Sequence, residues 1–229
     1  MPFVPASKRS VCPACLRPQS ACICRWVTPV AHPVEVLILQ HPLEAANPKG
    51  SARLLHLSLP RSRLVTGEVF DPQSLTALLT GPFDRKAAAG SLMQAILLYP
   101  DTSPGETPRR AAAAPATRPV LQQTPGGVQP PDRLRLVVLD GTWRKSRKML
   151  CCNPLLQQLP RLALHNMPDS RYRIRKAHRP DQLSTLEATC AALAQLHGTD
   201  AALQPLRMAF DRFVAWQMGL RIPGGTDAA

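Results

Sequence analysis

The sequence has no long hydrophobic run and few acidic residues. Its longest apolar stretches, such as residues 36–39 and 134–139, have the length of strands, far short of the roughly 20 residues that cross a membrane. The first five residues lack the apolar core of a signal peptide, so we expect a cytoplasmic protein without a membrane span. Acidic residues number 15 against 28 lysines and arginines, a formal net charge of +13. This excess favours a polyanionic partner, nucleic acid first and an anionic membrane surface second, although no strongly basic amphipathic helix supports the membrane.

Strand-sized apolar runs alternate with helical stretches along most of the chain. The 229 residues, 45% of them hydrophobic, suffice for one substantial domain. Ser184 and Glu187 have the spacing of a capping box at the start of a helix that reaches about His197. Strands separated by helices predict an α/β fold with a mostly parallel sheet flanked by helices. The predicted strands are 34–39, 63–66, 95–99, 134–139 and 161–164, and the other predicted helices are 51–59, 74–79, 144–152 and 203–220.

Two segments differ in composition from the rest. Residues 1–30 hold four of the seven cysteines and predict a small cysteine-rich head, followed by the main domain over residues 31–229. Within the main domain, residues 101–133 are rich in proline and alanine and have no periodicity. We therefore predict that they form a flexible surface insertion, because the strand pattern resumes directly afterwards.

The head has the spacing of a metal site. Its cysteines follow the pattern C-x2-C-x6-C-x-C, which can close a tetrahedral Zn²⁺ shell, and a segment this small needs a metal to fold. With all four positions filled by sulfur, the zinc is expected to be structural; ordinary reduced thiols are the alternative. The predicted ligands are Cys12, Cys15, Cys22 and Cys24. The remaining cysteines, Cys151, Cys152 and Cys190, lie on predicted helices and are expected to be buried thiols.

The tetrapeptide Asp140-Gly141-Thr142-Trp143 lies where the clearest strand gives way to a basic helix. In open α/β sheets, ligands bind beyond the carboxyl ends of the strands, where Asp140 could contact an amine or accept a proton. Gly141 lets the backbone approach closely, Thr142 can cap the helix, and Trp143 offers a flat face for stacking. A plain Asp-Gly turn with a core tryptophan is an equal alternative at this point.

Together with motifs elsewhere, this tetrapeptide resembles the DTW-domain family, which includes the tRNA-uridine aminocarboxypropyltransferases. The family is named for an Asp-x-Thr-Trp motif. The motifs occur in the right order between Cys12 and Ala188, so together they are highly specific. Besides the cysteine motif, the matching segments are His41-Pro42-Leu43-Glu44, Leu98-Tyr99-Pro100, Tyr172-Arg173-Ile174-Arg175-Lys176 and Leu183-Ser184-Thr185-Leu186-Glu187-Ala188.

The resemblance implies a SPOUT-like, knotted α/β fold and a reaction. The expected donor is S-adenosylmethionine, whose 3-amino-3-carboxypropyl group is transferred to N3 of a uridine in the tRNA variable loop, with release of 5′-methylthioadenosine. The absence of a glycine-rich dinucleotide fingerprint agrees with a site that is not Rossmann-like. Asp140 is the expected base for the N3 proton or the anchor of the donor's ammonium group.

The resemblance also provides the remaining site residues. A capping box alone is a sufficient alternative explanation for Ser184 and Glu187, and we slightly favour a packing role for Trp143 over stacking. The candidate catalytic residues are Asp140, Thr142 and Trp143. The candidate donor contacts are Leu98, Tyr99, Pro100, Asp140, Gly141, Ser184, Thr185 and Glu187.

Two clusters of cations flank these motifs and are expected to contact tRNA. One follows Trp143 directly, and in the other Arg171, Arg173 and Arg175 alternate, which on a strand would place three guanidinium groups on one face. A solvated charged face is the alternative. The candidate RNA contacts are His41, Glu44, Arg144, Lys145, Arg147, Lys148, Arg171, Arg173, Arg175 and Lys176.

Two other functions fit the same residues. One is an RNA methyltransferase that uses the same donor, and its by-product would be S-adenosylhomocysteine. The other is a zinc-bearing RNA-binding protein without catalysis. Asp140 favours an enzyme, because a phosphate-binding surface gains nothing from a carboxylate beside its cationic helix.

Overall fold

A parallel β-sheet with helices on both faces forms the protein. The computed structural model describes residues 10–83, 92–100, 130–164, 167, 170–174 and 183–219. Five strands pair in the order β2-β1-β4-β3-β5, and every pairing is parallel. The predicted α/β class and parallel sheet are thus confirmed. The strands are β1 (Glu35–Gln40), β2 (Ser62–Thr66), β3 (Gln94–Leu98), β4 (Leu134–Asp140) and β5 (Arg161–Leu162).

The helices lie close to their predicted positions. Asp71 accepts a hydrogen bond from the Ser74 amide, and Pro72 occupies the first turn, so α3 begins two residues before its predicted start. The predicted strand 161–164 is shorter than expected, with two paired residues. The helices are α1 (Pro42–Ala45), α2 (Ala52–Ser58), α3 (Pro72–Thr80), α4 (Trp143–Cys152), α5 (Pro154–Gln157), α6 (Thr185–His197) and α7 (Gln204–Gln217).

The central strands are apolar on both faces because both faces are covered. In β1, Val36 and Ile38 belong to one core cluster, whereas Leu37 and Leu39 belong to the other. Side chains alternate across a strand, so a continuous apolar run is typical of a central parallel strand. The first cluster contains residues of α2, α6 and α7, and the second contains residues of α3, α4 and α5.

The cysteine-rich head packs on the first of these faces. Ile23 and Val30 are buried in the same cluster as α6 and α7. The Val30 amide donates to the Ser58 carbonyl at 2.8 Å at the end of α2.

A buried ion pair ties the amino ends of β1 and β4 together. Arg135 and Glu35 are opposite each other in register, and Arg135 is fully buried. Its Nε donates to Glu35 at 3.1 Å, and its other donors reach the carbonyls of Leu78 and Gly81. Burial lowers the pKa of the Arg135 guanidinium, which Glu35 opposes. This pair lies at the amino ends of the two strands, whereas Asp140 lies at the carboxyl end of β4.

Two sequence predictions about side chains come out differently. Cys151 and Cys152 are exposed, because the buried residues of α4 are Ser146, Met149 and Leu150. Cys190 is buried, as predicted.

Most of the predicted insertion, residues 101–129, lies outside the described residues, and Pro131–Arg133 forms a 3₁₀ turn before β4. In the part of the chain that the structure describes, no helix has the length and apolar character needed to cross a membrane.

Candidate active site

A cleft opens at the carboxyl ends of β1 and β4. The tetrapeptide's first two residues line it, together with the chain that follows β1 and the start of α6. This edge is where parallel α/β sheets bind ligands. The lining residues are Glu44, Asn47, Lys49, Gly50, Ser51, Asp140, Gly141, Tyr172, Ser184 and Thr185.

Asp140 is fixed at the base of this cleft. It is the last residue of β4, is buried, and lies opposite Gln40 at the end of β1. Its Oδ1 accepts a hydrogen bond from Thr185 Oγ1 at 2.6 Å, and its Oδ2 accepts one from Gln40 Nε2 at 2.9 Å. Three separate elements thus set the direction of one carboxylate. A group held in this way is preorganised for binding or proton transfer.

The residues after Asp140 begin helix α4. Thr142 is its N-cap, and its Oγ1 accepts from the Lys145 amide at 3.4 Å. A Cβ on Gly141 would lie 3.1 Å from Lys145 Cβ and 3.7 Å from His41 Cβ, so the turn is closely packed. Trp143, the first helical residue, is 48% exposed. The alternative in which Trp143 is a core residue therefore does not hold.

Glu44 provides a second carboxylate in the cleft. It is buried, and its Oε1 accepts from Lys145 Nζ at 2.8 Å. Its Oε2 accepts from Asn47 Nδ2, also at 2.8 Å. The ion pair joins the segment that follows β1 to helix α4 at the edge of the cleft.

His41 lies close to Gly141 but is not among the residues that line the cleft. Its Nδ1 accepts from the Leu43 amide at 3.2 Å, its Nε2 lies 2.7 Å from Glu68 Oε2, and its backbone amide donates to the Asp140 carbonyl at 3.0 Å. Lys148 and His41 both lower the pKa of Glu68, which therefore stays ionised. The buried His41 ring thus fixes the start of α1, and the His41 backbone amide joins this segment to the end of β4 at Asp140.

The four cysteines of the head converge on one point. Their sulfur atoms all lie within 4.8 Å of one another, with 3.6 Å between Cys12 and Cys24 and 3.8 Å between Cys15 and Cys22. Zn–S bonds of about 2.3 Å at tetrahedral angles require sulfurs about 3.8 Å apart. The cluster could hold a metal ion of this kind.

The protonation of the thiols also suits a cation. Backbone hydrogen bonds from Cys15 and Ala14 lower the pKa of Cys12 to about 6, so this sulfur is readily a thiolate. Burial and the neighbouring thiols raise the pKa of Cys24 to about 12. Without a positive ion, these effects thus favour a thiolate at Cys12 and a protonated thiol at Cys24, whereas a bound metal would stabilise the thiolate form of all four.

A sequence profile of the DTW domain matches residues 9–218, nearly the whole chain. The chain belongs to the DTW domain family. This membership confirms the family resemblance inferred from the sequence motifs.

Three curated relatives share the name tRNA-uridine aminocarboxypropyltransferase 2. The protein of Drosophila melanogaster is 29% identical over 211 residues, covering 88% of this chain and 72% of the fly protein. Those of Mus musculus and Macaca fascicularis are each 26% identical and cover 95% and 90% of this chain. The chain spans 67% of the mouse protein and 64% of the macaque protein. No solved structure gives a significant match.

In this DTW domain, the capping box at the start of α6 is confirmed. Ser184 Oγ accepts from the Glu187 amide at 3.2 Å, and Glu187 Oε2 accepts from the Ser184 amide at 2.7 Å. Glu187 also accepts from Ser170 Oγ and from the Arg171 amide. Ser184 and Thr185 line the cleft, whereas Glu187 anchors the segment before α6 and is not part of the lining.

Residues 170–174 do not form a strand, so the shared face that a strand would give Arg171 and Arg173 is not present there. The Arg173 amide donates to the Arg171 carbonyl at 2.8 Å, which makes a tight turn instead. The reason is Tyr172, whose buried ring stacks on Phe210 at 5.5 Å while Glu187 takes the Arg171 amide. Arg171 and Arg173 are exposed, and Arg171 pairs with Asp211. The predicted contacts Arg175 and Lys176 lie outside the described residues.

Leu98 ends β3, and Tyr99 and Pro100 follow it at the same edge of the sheet, but none of the three is among the cleft-lining residues. Leu98 pairs with Val138, two residues before Asp140. The Tyr99 ring contacts Trp143 edge-on, with 5.8 Å between ring centroids. The structure therefore brings this segment to the tryptophan and not into the lining around Asp140.

The basic face predicted on α4 is present. Arg144, Arg147 and Lys148 are exposed, and Lys148 forms an ion pair with Glu68 at 2.8 Å. Lys145 is partly buried against Glu44, so its charge is directed to the cleft. Helix α4 thus presents cations both to solvent and to the site.

Several residues of the site were missed from the sequence. Gln40 and Glu68 lie just beyond or at the end of strands, a position that marks the ligand edge and could have identified them. Arg17 donates to the carbonyls of Pro48 and Gly50 at 2.6 and 2.8 Å, which links the head to the rim of the cleft. No local pattern signals a contact between positions so far apart in the chain.

Proposed function

We propose that this chain is a tRNA-uridine aminocarboxypropyltransferase, which transfers the 3-amino-3-carboxypropyl group of S-adenosylmethionine to N3 of a variable-loop uridine. The observation that carries the proposal is the placement of Asp140. The acid that begins the family's motif lies buried at the base of a cleft, held by Gln40 and Thr185. The shared name of three relatives that match 88–95% of this chain supports the reaction.

The cleft carries charges of both signs, which suits a donor that has a sulfonium, an α-ammonium and a carboxylate. Glu44 and Asp140 line it and favour the positive groups, whereas Lys49, also in the lining, favours the carboxylate. Ser51, Ser184 and Thr185 add hydroxyl groups to the same wall. When bound, the donor supplies an electrophilic γ-carbon and leaves as 5′-methylthioadenosine.

Asp140 has two compatible roles in this proposal. As a base, it accepts the N3 proton of the uridine, which must leave when N3 becomes the nucleophile. As an anchor, it holds the donor's ammonium group and so aims the γ-carbon, instead of the methyl group, at N3. Thr142 positions this acid indirectly, because its cap fixes the start of α4.

The cysteine cluster is proposed to hold structural zinc. Its four sulfurs leave no open position for a substrate, which is typical of structural sites. Residues 1–30 are accordingly proposed as a zinc-binding head and residues 31–229 as the catalytic domain, with a flexible insertion at 101–133. A SPOUT-like, knotted fold is part of the same proposal, supported by the parallel sheet with its site at the carboxyl edge.

Donor labelling tests the reaction directly. Purified protein is incubated with unmodified tRNA and with donor labelled either in its carboxyl carbon or in its methyl group. We expect the carboxyl label to enter the tRNA and the methyl label to appear in methylthioadenosine. Transfer of the methyl label to RNA would identify a methyltransferase. If neither label enters the tRNA although the protein binds it, the chain is an RNA-binding protein without this catalysis.

A further inference from the structure

Trp143 exposes a large aromatic surface at the edge of the sheet where the cleft opens. Trp143 is 48% exposed, although burial of an aromatic ring away from water is favourable in free energy. The other two tryptophans, Trp26 and Trp216, are half-buried and contact each other with ring centroids 6.5 Å apart. The exposure of Trp143 therefore points to a ligand for its ring.

The ring is held in place from below. Tyr99 contacts it edge-on, with the ring planes at 76°, and the Arg161 guanidinium lies 5.5 Å from the Tyr99 centroid. Arg161 Nη1 also donates to the Pro100 carbonyl at 3.3 Å. Arg161 thus holds the Tyr99 segment, Tyr99 contacts the Trp143 ring, and the exposed part of Trp143 offers a surface to a flat partner. We call Trp143, Tyr99 and Arg161 the aromatic platform.

The surroundings of the platform indicate the charge of its partner. Arg144 and Arg147 on α4 are exposed beside it, and the first turn of this helix contains no acidic residue. A partner that combines flat apolar rings with negative charges suits this surface. An unpaired nucleobase with its flanking phosphates has that chemistry, and stacking on aromatic side chains is a general means of binding single-stranded RNA.

We infer that the aromatic platform stacks an unpaired base of the RNA substrate, while Arg144 and Arg147 contact its phosphates. This inference rests on the proposed function and adds the residues that place the RNA. It also gives Tyr99 a supporting role under the tryptophan in place of the donor contact expected from the sequence.

Three variants test the platform. In Trp143→Ala the stacking surface is lost, so we expect the dissociation constant for tRNA to rise by about 5- to 150-fold, with the affinity for S-adenosylmethionine unchanged. Trp143→Phe keeps an aromatic face and is expected to lose much less. Met208→Ala is the matched control, because Met208 is also 48% exposed but lies on α7; it should bind tRNA like the wild type.

Fluorescence provides a second readout that does not depend on turnover. Binding of tRNA should quench the wild-type tryptophan emission, and this quenching should be mostly lost in Trp143→Phe, which retains Trp26 and Trp216. The result stays informative if Trp143→Ala fails to fold.

Equal tRNA affinity of Trp143→Ala and wild type, or equal quenching in wild type and Trp143→Phe, would overturn the inference and leave the proposed reaction standing. If the wild type binds tRNA but modifies none, the proposed reaction fails, and the quenching still decides the platform. Recognition of a protein by this surface would appear as wild-type tRNA binding in both Trp143 variants.

Discussion

At the scale of single residues, the site depends on how Asp140 is held. Gln40 and Thr185 donate to its two oxygens from β1 and α6, and the His41 amide donates to its carbonyl. The carboxylate therefore cannot turn away from the cleft without breaking hydrogen bonds that are buried, which is costly. Its neighbours can be changed separately from its charge.

Replacing Asp140 by Asn removes the charge and keeps the shape. We expect the rate of transfer to fall by at least about 100-fold, the usual contribution of a positioned acid or base. Thr185→Val removes one hydrogen bond but leaves the charge and should cost less. The measurement is single-turnover transfer to tRNA, with circular dichroism as the check of folding. A rate for Asp140→Asn within a few-fold of the wild type would contradict the role of this carboxylate.

His32 makes stability depend on pH. Burial, together with His197 and Arg61, lowers its pKa below the ordinary value of 6.5. The folded protein thus prefers neutral His32, and this contribution is fully present above pH 6.5 and is lost as the pH falls below it. We expect His32→Gln to show a smaller loss of stability between pH 8 and pH 5, measured by urea unfolding. An unchanged pH slope would refute the assignment.

A half-buried histidine, His56, serves as the comparison for this experiment. Burial and Arg53 lower the pKa of His56 as well, so it contributes in the same direction. His56→Gln should therefore leave the contribution of His32 in place. Each of the two variants should remove only part of the dependence of stability on pH.

At the scale of elements, the ends of strands and helices build the site. Strands β1 and β4 end at Gln40 and Asp140, and helices α4 and α6 begin at Trp143 and Thr185. The caps of both helices, Thr142 and Ser184, therefore determine where the cleft lies. Stabilising these helix ends also stabilises the site.

The capping box of α6 is expected to contribute measurably to stability. Ser184→Ala should reduce the free energy of unfolding by about 1 kcal/mol, since an N-cap hydrogen bond is lost. Glu187→Ala should cost more, because Glu187 also accepts from Ser170 and the Arg171 amide. Thermal unfolding compares the two variants with Glu187→Gln, which keeps an acceptor. An equal melting temperature for Glu187→Ala and wild type would show that this clamp is unimportant.

Elements with a local signature could be predicted from the sequence, and those set by distant contacts could not. The strand ending at Asp140 and the capping box at Ser184 follow from short patterns and are confirmed. The alternation of Arg171 and Arg173 would place both on one face only in a strand. The turn found there depends on Glu187, a contact 16 residues away that no local pattern reveals. Exposure of Cys151 was also missed, since it depends on which face of α4 meets the sheet.

At the scale of the whole molecule, hydrogen bonds and a shared core join the cysteine head to the cleft. Arg17, within the cysteine head, donates to Pro48 and Gly50 at the rim of the cleft, and Lys49 Nζ donates to the Ile174 carbonyl across it. The head also shares the core of α6 and α7. Disturbing the cysteine cluster should therefore affect both stability and activity.

Metal removal tests this connection. We expect the purified protein to contain one zinc ion per chain and Cys24→Ser to lose it, with a lower melting temperature and reduced transfer. Cys151→Ser is the control, because Cys151 is exposed and lies outside the cluster. Elemental analysis and thermal unfolding give the readouts. Full stability of Cys24→Ser without metal would rule out a structural zinc.

The central claim is that this cleft directs the amino-acid arm of the donor to a uridine. Mass spectrometry of nucleosides tests it most directly, with tRNA incubated with the donor and either wild type or Asp140→Asn. We expect aminocarboxypropyl-uridine and free methylthioadenosine for the wild type and almost none of either for the variant. A methylated nucleoside with S-adenosylhomocysteine, or no modified nucleoside at all, would contradict it.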